Sequence, residues 1–170
     1  RKKDIMKRFL SLITSLILLL TAVLPAYAAE EGHVIIHQVY GASDDGYADY
    51  SFIELYNPTD NTVDINGWSI QYRSSASGNQ ASDWAVLPLT GTIEAHGYYL
   101  IRCGVVTSPS GSYQVPQGNQ EWDISLHNKG LSIALMSSST PLTESFSGDI
   151  TADGFTLPSD FVDLAAVGGN

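Results

Sequence analysis

The sequence predicts an all-β fold, an immunoglobulin-like antiparallel β-sandwich preceded by a signal-peptide helix. Three features lead there. Past the leader, apolar residues follow a period of two and no helical periodicity is visible. Strand-sized runs rich in β-branched and aromatic residues recur at short pitch with nothing helical between them. The gaps hold Asn-Pro-Thr-Asp, Asn-Gly, Ser-Gly-Asn, Ala-His-Gly, Ser-Pro-Ser-Gly, Pro-Gln-Gly-Asn and His-Asn-Lys-Gly. Each supplies a positive φ through Gly or Asn, or presets a turn through Pro.

Met6 opens "MKRFLSLITSLILLLTAVLPAYA". Basic Lys7 and Arg8 precede an apolar run from Phe9 to Leu24, Pro25 breaks it, and Ala26 and Ala28 flank Tyr27 in an A-x-A pattern. That is the three-part plan of a secretory leader, with cleavage expected after Ala28. An uncleaved anchor is the alternative, but the run is shorter than the roughly 20 residues a spanning helix needs. "RKKDI" before Met6 reads as upstream sequence or a fragment edge. The expected organisation is therefore 1–28 for upstream residues and leader, and 29–170 for one domain, secreted and with no membrane attachment once cleaved.

Cleavage removes five of the eight basic residues. Arg73, Arg102 and Lys129 then face seventeen acids, for a net charge of −14. Affinity for nucleic acid comes mainly from Lys and Arg displacing counterions, so this surface argues against direct binding of DNA or RNA. Cys103 is the single cysteine. Internal disulfides cannot brace the domain, and its stability must come from an apolar core. Cys103 is read as a small buried side chain, the alternative being a partner cysteine further along a longer parent chain.

In order, the strand candidates are "HVIIHQVY" (33–40), "SFIELYN" (51–57), "GWSIQYR" (67–73), "WAVLPL" (84–89), "GYYLIRC" (97–103), "DISL" (123–126), "LSIALM" (131–136) and "FVDLAAV" (161–167). In 51–57, Ile53 and Leu55 share one face while Phe52, Glu54 and Tyr56 share the other. Pro58 ends the strand, since it cannot donate to a ladder. Val63 and Ile65 restore alternation, and Asn66-Gly67 reverses the chain to deliver Trp68, whose indole is expected between the layers. "DISL" and "LSIALM" are expected to form a hairpin across "HNKG", with Leu131, Ile133 and Leu135 inward and Ser132, Ala134 and Met136 outward. Residues 137–160, rich in Ser, Thr and Gly, read as a long connection with a short strand near Phe146.

These residues resemble the lamin-tail domain in its bacterial, secreted form. The hallmark is a strand of the type "FIEL-x-N", a short turn, then an Asp, a Gly and a Trp. Here those are Phe52, Ile53, Glu54, Leu55 and Asn57, followed by Asp64, Gly67 and Trp68. "VIIHQVYG" (34–41), "LTGTIEAHGYYLI" (89–101), "LHNKGLSIAL" (126–135) and "DFVDLAAVGG" (160–169) resemble further family strands in order. "AAVGGN" lacks the late aromatic usual in the family, which suggests a truncated parent. The resemblance implies an immunoglobulin-like sandwich without catalytic residues, serving in binding, attachment or positioning. Such domains often accompany secreted nucleases or other hydrolases, so the alternative is the front part of an enzyme whose catalytic domain lies beyond Asn170.

Candidate chemistry is sparse. Asp44, Asp45 and Asp49 in "GASDDGYADY" read as a solvated acidic loop, with no cofactor expected; the alternative is a calcium loop, although their order is not that of an EF-hand. His33 and His37 sit four residues apart on a strand, about 13 Å, too far to share a zinc ion. "GLSIA" (130–134) places Ser132 inside a strand rather than on a strand-to-helix elbow. Glu54 is expected at a sheet edge or in a salt bridge, Arg102 being one candidate partner. Tyr47, Tyr50, Tyr72, Tyr98, Tyr99, Tyr113, Trp84 and Trp122 could line a surface for an unknown protein or carbohydrate partner, or fill the core.

Overall fold

Ten strands carry the architecture of the computed structural model, which describes residues 32–41, 47–74, 84–106, 113–128, 130–143 and 156–167. The chain divides after Glu31, and the leader and its expected helix lie outside the described residues, as does the strand expected near Phe146. The strands are β1 (Ile35–Tyr40), β2 (Tyr50–Tyr56), β3 (Val63–Asp64), β4 (Ser69–Ser74), β5 (Ala85–Pro88), β6 (Thr92–Ile93), β7 (Tyr98–Val105), β8 (Gln120–Glu121), β9 (Leu131–Met136) and β10 (Phe161–Val167). One sheet runs β1-β2-β7-β8, the other runs β10-β9-β4-β5, and β3 with β6 forms a small ribbon. Pairings between named strands are antiparallel except for the two-residue contact of β7 with β8. This is the all-β, immunoglobulin-like sandwich expected from the period-two runs.

The inner faces follow the alternation. Ile53 and Leu55 of β2, Ile101 and Cys103 of β7, and Ile70, Ile133 and Leu135 of the second sheet are buried in one cluster. Full burial of each such aliphatic side chain is worth about 1.5–3 kcal/mol, so these residues dominate the stabilising side of folding. Phe52, Glu54 and Tyr56 take the outer face of β2 and remain half-buried.

Two expectations are corrected. Residues 123–126 are not a strand and form no hairpin with β9. Gly104 N donates to the Ile124 carbonyl and Leu126 N to Ser51 Oγ, so this stretch is bound to the first sheet, while β9 pairs with β4 and β10 in the second. His127-Asn128 therefore lies in a crossover between layers, with His127 N bonded to the Tyr72 hydroxyl. A Cβ at Gly41 would stand 2.6 Å from the His127 carbonyl oxygen, so glycine lets the crossing segment lie against the end of β1. Second, Ala134 and Met136 do not face water: both are fully buried. They pack with Trp84 and Leu142 in a second cluster beneath the segment after β9, joined by Phe161 and Leu164.

Trp68 also differs from expectation. It lies one residue before β4, packed against the main core but half-buried rather than enclosed in it. The buried indole is that of Trp84, on the opposite side of the second sheet.

Burial pushes the Cys103 thiol up from 9.0 to about 12, with the Glu121 charge adding to the effect. Because the native thiol stays protonated while the unfolded one ionises, its contribution to stability is complete below about pH 9 and declines between about pH 9 and 12. Iodoacetamide at about pH 8 should label the unfolded chain readily and the native chain at least tenfold more slowly. Ile101→Ala should cost about 2–5 kcal/mol, read as a lower urea midpoint with the slope unchanged.

Candidate functional site

The hallmark residues converge on one corner of the sandwich. Asn57 ends β2 fully buried. Its Nδ2 donates to the carbonyls of Asn61 (2.8 Å), Ile93 (3.1 Å) and Glu94 (3.0 Å). Its Oδ1 accepts from Thr59 N (3.0 Å) and Thr59 Oγ1 (2.8 Å). One amide thus ties the end of β2, the turn at 58–61 and the β6–β7 connection into a single unit. No apolar side chain of similar size could satisfy these backbone groups.

Asp64 and Gly67 serve the next step. Asp64 Oδ1 accepts from Asn66 N at 2.9 Å and Asn66 Nδ2 at 2.6 Å, and Asn66 Oδ1 accepts from Gly91 N at 3.0 Å. Gly67 has φ +81°, a conformation that costs glycine little and other residues more. Trp68 N then closes the turn onto the Ile65 carbonyl, and the Trp68 carbonyl accepts from Leu89 N. Asn57, Asp64 and Gly67 all act on backbone geometry.

Among the described residues, Asp49, Glu54 and Arg102 each have partners of their own. Asp44 and Asp45 lie outside the described residues. Asp49 uses Oδ1 to accept from Val115 N at 2.8 Å, which is a loop-bracing role. Among the described residues no group of three or more His, Cys, Asp or Glu side chains converges to hold a metal ion. Glu54 is neither at an edge nor paired with Arg102: β2 is an interior strand, and Glu54 Oε1 lies 2.8 Å from His37 Nδ1. Arg102 instead donates from Nε to Glu121 Oε2 at 2.9 Å, and its guanidinium carbon stands 4.4 Å over the Tyr50 ring. The β1 bulge between Ile36 and Gln38 is where His37 projects to meet Glu54.

The aromatic residues divide between core and surface. Tyr72, Tyr99 and Trp84 are buried; Tyr99 donates to the Thr90 carbonyl, and burial pushes its phenol up despite that bond. Tyr50 and Trp122 are half-buried, and Tyr47, Tyr98 and Tyr113 are exposed. On the outer face of the first sheet, Tyr98 and Tyr56 are register partners with ring centroids 4.7 Å apart. The His37 ring lies 5.4 Å from Tyr98 and 5.9 Å from Tyr56. Tyr40 stacks on Phe52 further along the same face, 5.6 Å between centroids and 12° between planes. On this face His37 and Tyr98 are exposed, and Tyr40, Phe52 and Tyr56 are half-buried.

Sequence reasoning did not single out Gln71. It is fully buried on the outer side of β4, where it donates to the Thr140 carbonyl and accepts from Leu142 N. The signal for it was the pair Ala134 and Met136, apolar at positions read as outward.

A family model described as the Lamin Tail Domain matches residues 28–148. No curated protein matches the chain.

Asn57→Ala should destabilise by about 2–3 kcal/mol, because it strands buried backbone groups. Asn57→Asp should cost at least as much, since a carboxylate cannot donate to three carbonyls. Urea titrations that place either variant within about 0.5 kcal/mol of the parent would contradict this role for the amide.

Proposed function

Because this chain belongs to the lamin tail domain family, with an immunoglobulin-like fold, we propose that it is a secreted, non-catalytic module that binds, attaches or positions a parent protein. The aromatic outer face of the first sheet carries the reading. That face presents exposed His37 and Tyr98 beside half-buried rings, while the equivalent face of the second sheet is covered by its own chain. Tyr98, half exposed at 54%, is fixed against Tyr56 and His37, so little freedom remains to lose when a partner docks. The acidic balance supports a partner other than nucleic acid.

The leader plan supports export to the extracellular space, with no membrane attachment of the mature chain and no resident cofactor required. A catalytic domain elsewhere in the parent is compatible with this role, which would then be to hold that domain in place.

Two measurements test the proposal. Expressed from Met6 in a secreting bacterial host, the product in the medium should begin at Ala29; full-length protein retained in the membrane would overturn the export reading. Mature chain mixed with washed bacterial cells should cosediment, and the Tyr56→Ala/Tyr98→Ala double variant, equally folded by circular dichroism, should do so about tenfold less. Equal sedimentation would remove this face from the function.

A further inference from the structure

We propose that the outer face of the first sheet is a glycan-binding platform, in which Tyr98 and Tyr56 stack against a neutral sugar chain and His37 with Glu54 accepts its hydroxyls. The assignment rests on the reading of that face as the module's contact surface and names what it contacts.

The rings supply the first argument. Sugar rings present C–H groups on their faces, and an electron-rich phenol plane held in the open is a matching surface. Tyr98 is such a plane, held from two sides before any ligand arrives. The Tyr40–Phe52 pair lies on the same face, Phe52 four residues along β2 from Tyr56, which is about 13 Å at strand rise. Two aromatic stations in line along one strand suit an extended polymer better than a compact ligand.

The polar groups supply the second. His37 Nδ1 faces Glu54 Oε1 at 2.8 Å, so with a neutral imidazole Nδ1 carries the proton and Nε2 is an acceptor. Glu54 Oε2 is a second acceptor beside it. Neither atom has a hydrogen-bond partner among the described residues. Two neighbouring acceptors next to a ring plane call for neighbouring donors, which adjacent sugar hydroxyls provide.

Charge narrows the class. Glu121 spends both oxygens, one on Arg102 Nε and one on Gly118 N, and Arg102 is neutralised by Glu121 and covered by Tyr50. Among the described residues Glu54 is thus the carboxylate on this face with an oxygen to offer, and it is already held by His37. Such a face repels phosphorylated or acidic chains and offers little to a strongly cationic peptide. A second copy, with the same acidic balance, is also disfavoured.

The test titrates the mature chain with cellohexaose, with N-acetylchitohexaose and with a Lys-rich peptide, by calorimetry at about 0.05 and 0.5 M salt. The expected result is that at least one hexasaccharide binds, with an affinity that changes less than about twofold between the two salt concentrations. Tyr98→Ala should weaken it at least about tenfold, Glu54→Gln about three- to tenfold, and Tyr113→Ala, exposed at the other end of the sheet, should leave it unchanged. Circular dichroism and thermal melting confirm that each variant is folded. No binding of either hexasaccharide at about 10 mM, or binding that survives Tyr98→Ala, overturns the proposal. Tyr98-dependent, salt-sensitive binding of the Lys-rich peptide without sugar binding also sinks it, yet leaves the face as a contact surface. Cosedimentation with cells that ignores Tyr56 and Tyr98 removes both readings together.

Discussion

The two inner sheet faces must bury each other, and almost everything else in this domain follows from that constraint. Ile53, Leu55, Ile101 and Cys103 on one layer meet Ile70, Ile133 and Leu135 on the other. A slip of one residue in β2 would turn Ile53 and Leu55 to solvent and drive Glu54 into the apolar centre, so the register is strongly held. With no disulfide available from a single cysteine, this interface carries the stability. Polar side chains enter only where they replace a backbone partner. Ser51 bridges Gly104 and Leu126 between strand and following segment, and Asn57 clips the corner.

A second consequence is asymmetry. The outer side of the second sheet is itself a small core, with Trp84, Met136 and Leu142 under the segment after β9, and Gln71 fastening that segment down. β10 belongs to both regions: Val162 and Ala165 pack against the main core, Phe161 and Leu164 against the second. It also reaches the opposite layer, where Asp163 Oδ2 accepts from Ile36 N at 2.7 Å. The family match ends at residue 148, but the sandwich of this chain uses a strand beyond it. One outer face is thus occupied by the chain itself, and the ordered aromatic rings stand on the other.

The corner motif shows why a polar, acid-rich stretch need not be a reaction centre. Asn57, Asp64, Asn66 and Gly67 lie within eleven residues, and their bonds return to the backbone of the same corner. What they secure is the passage of the chain from one layer to the other, through the β3–β6 ribbon. The Asn57 amide is taken up by five such bonds, and Asp64 Oδ1 by two from Asn66. Glu54 differs in place: it projects from an interior strand onto the outer face of the first sheet, where it meets His37.

Much of this was legible in the residues alone. The period of two in 51–57 and 131–136, the breaks at Pro58 and Asn66-Gly67, and the lone cysteine led to the sandwich, its inward residues and the buried thiol, because alternation and turn chemistry are local properties of the backbone. The partner of each element was not legible. "HNKG" has the composition of a hairpin turn, and only the bonds from 122–126 to the first sheet reveal a crossover. Trp68 and Trp84 look alike as large apolar residues at strand starts, yet one lies half-buried against the main core and the other fills the second core. Glu54 and Arg102 could have paired by charge, but the β1 bulge brings His37 to one and the β7–β8 contact brings Glu121 to the other. Periodicity states which way a side chain points relative to its own strand; what lies in that direction is set by contacts between residues far apart in the chain, and these exist only once the layers have closed.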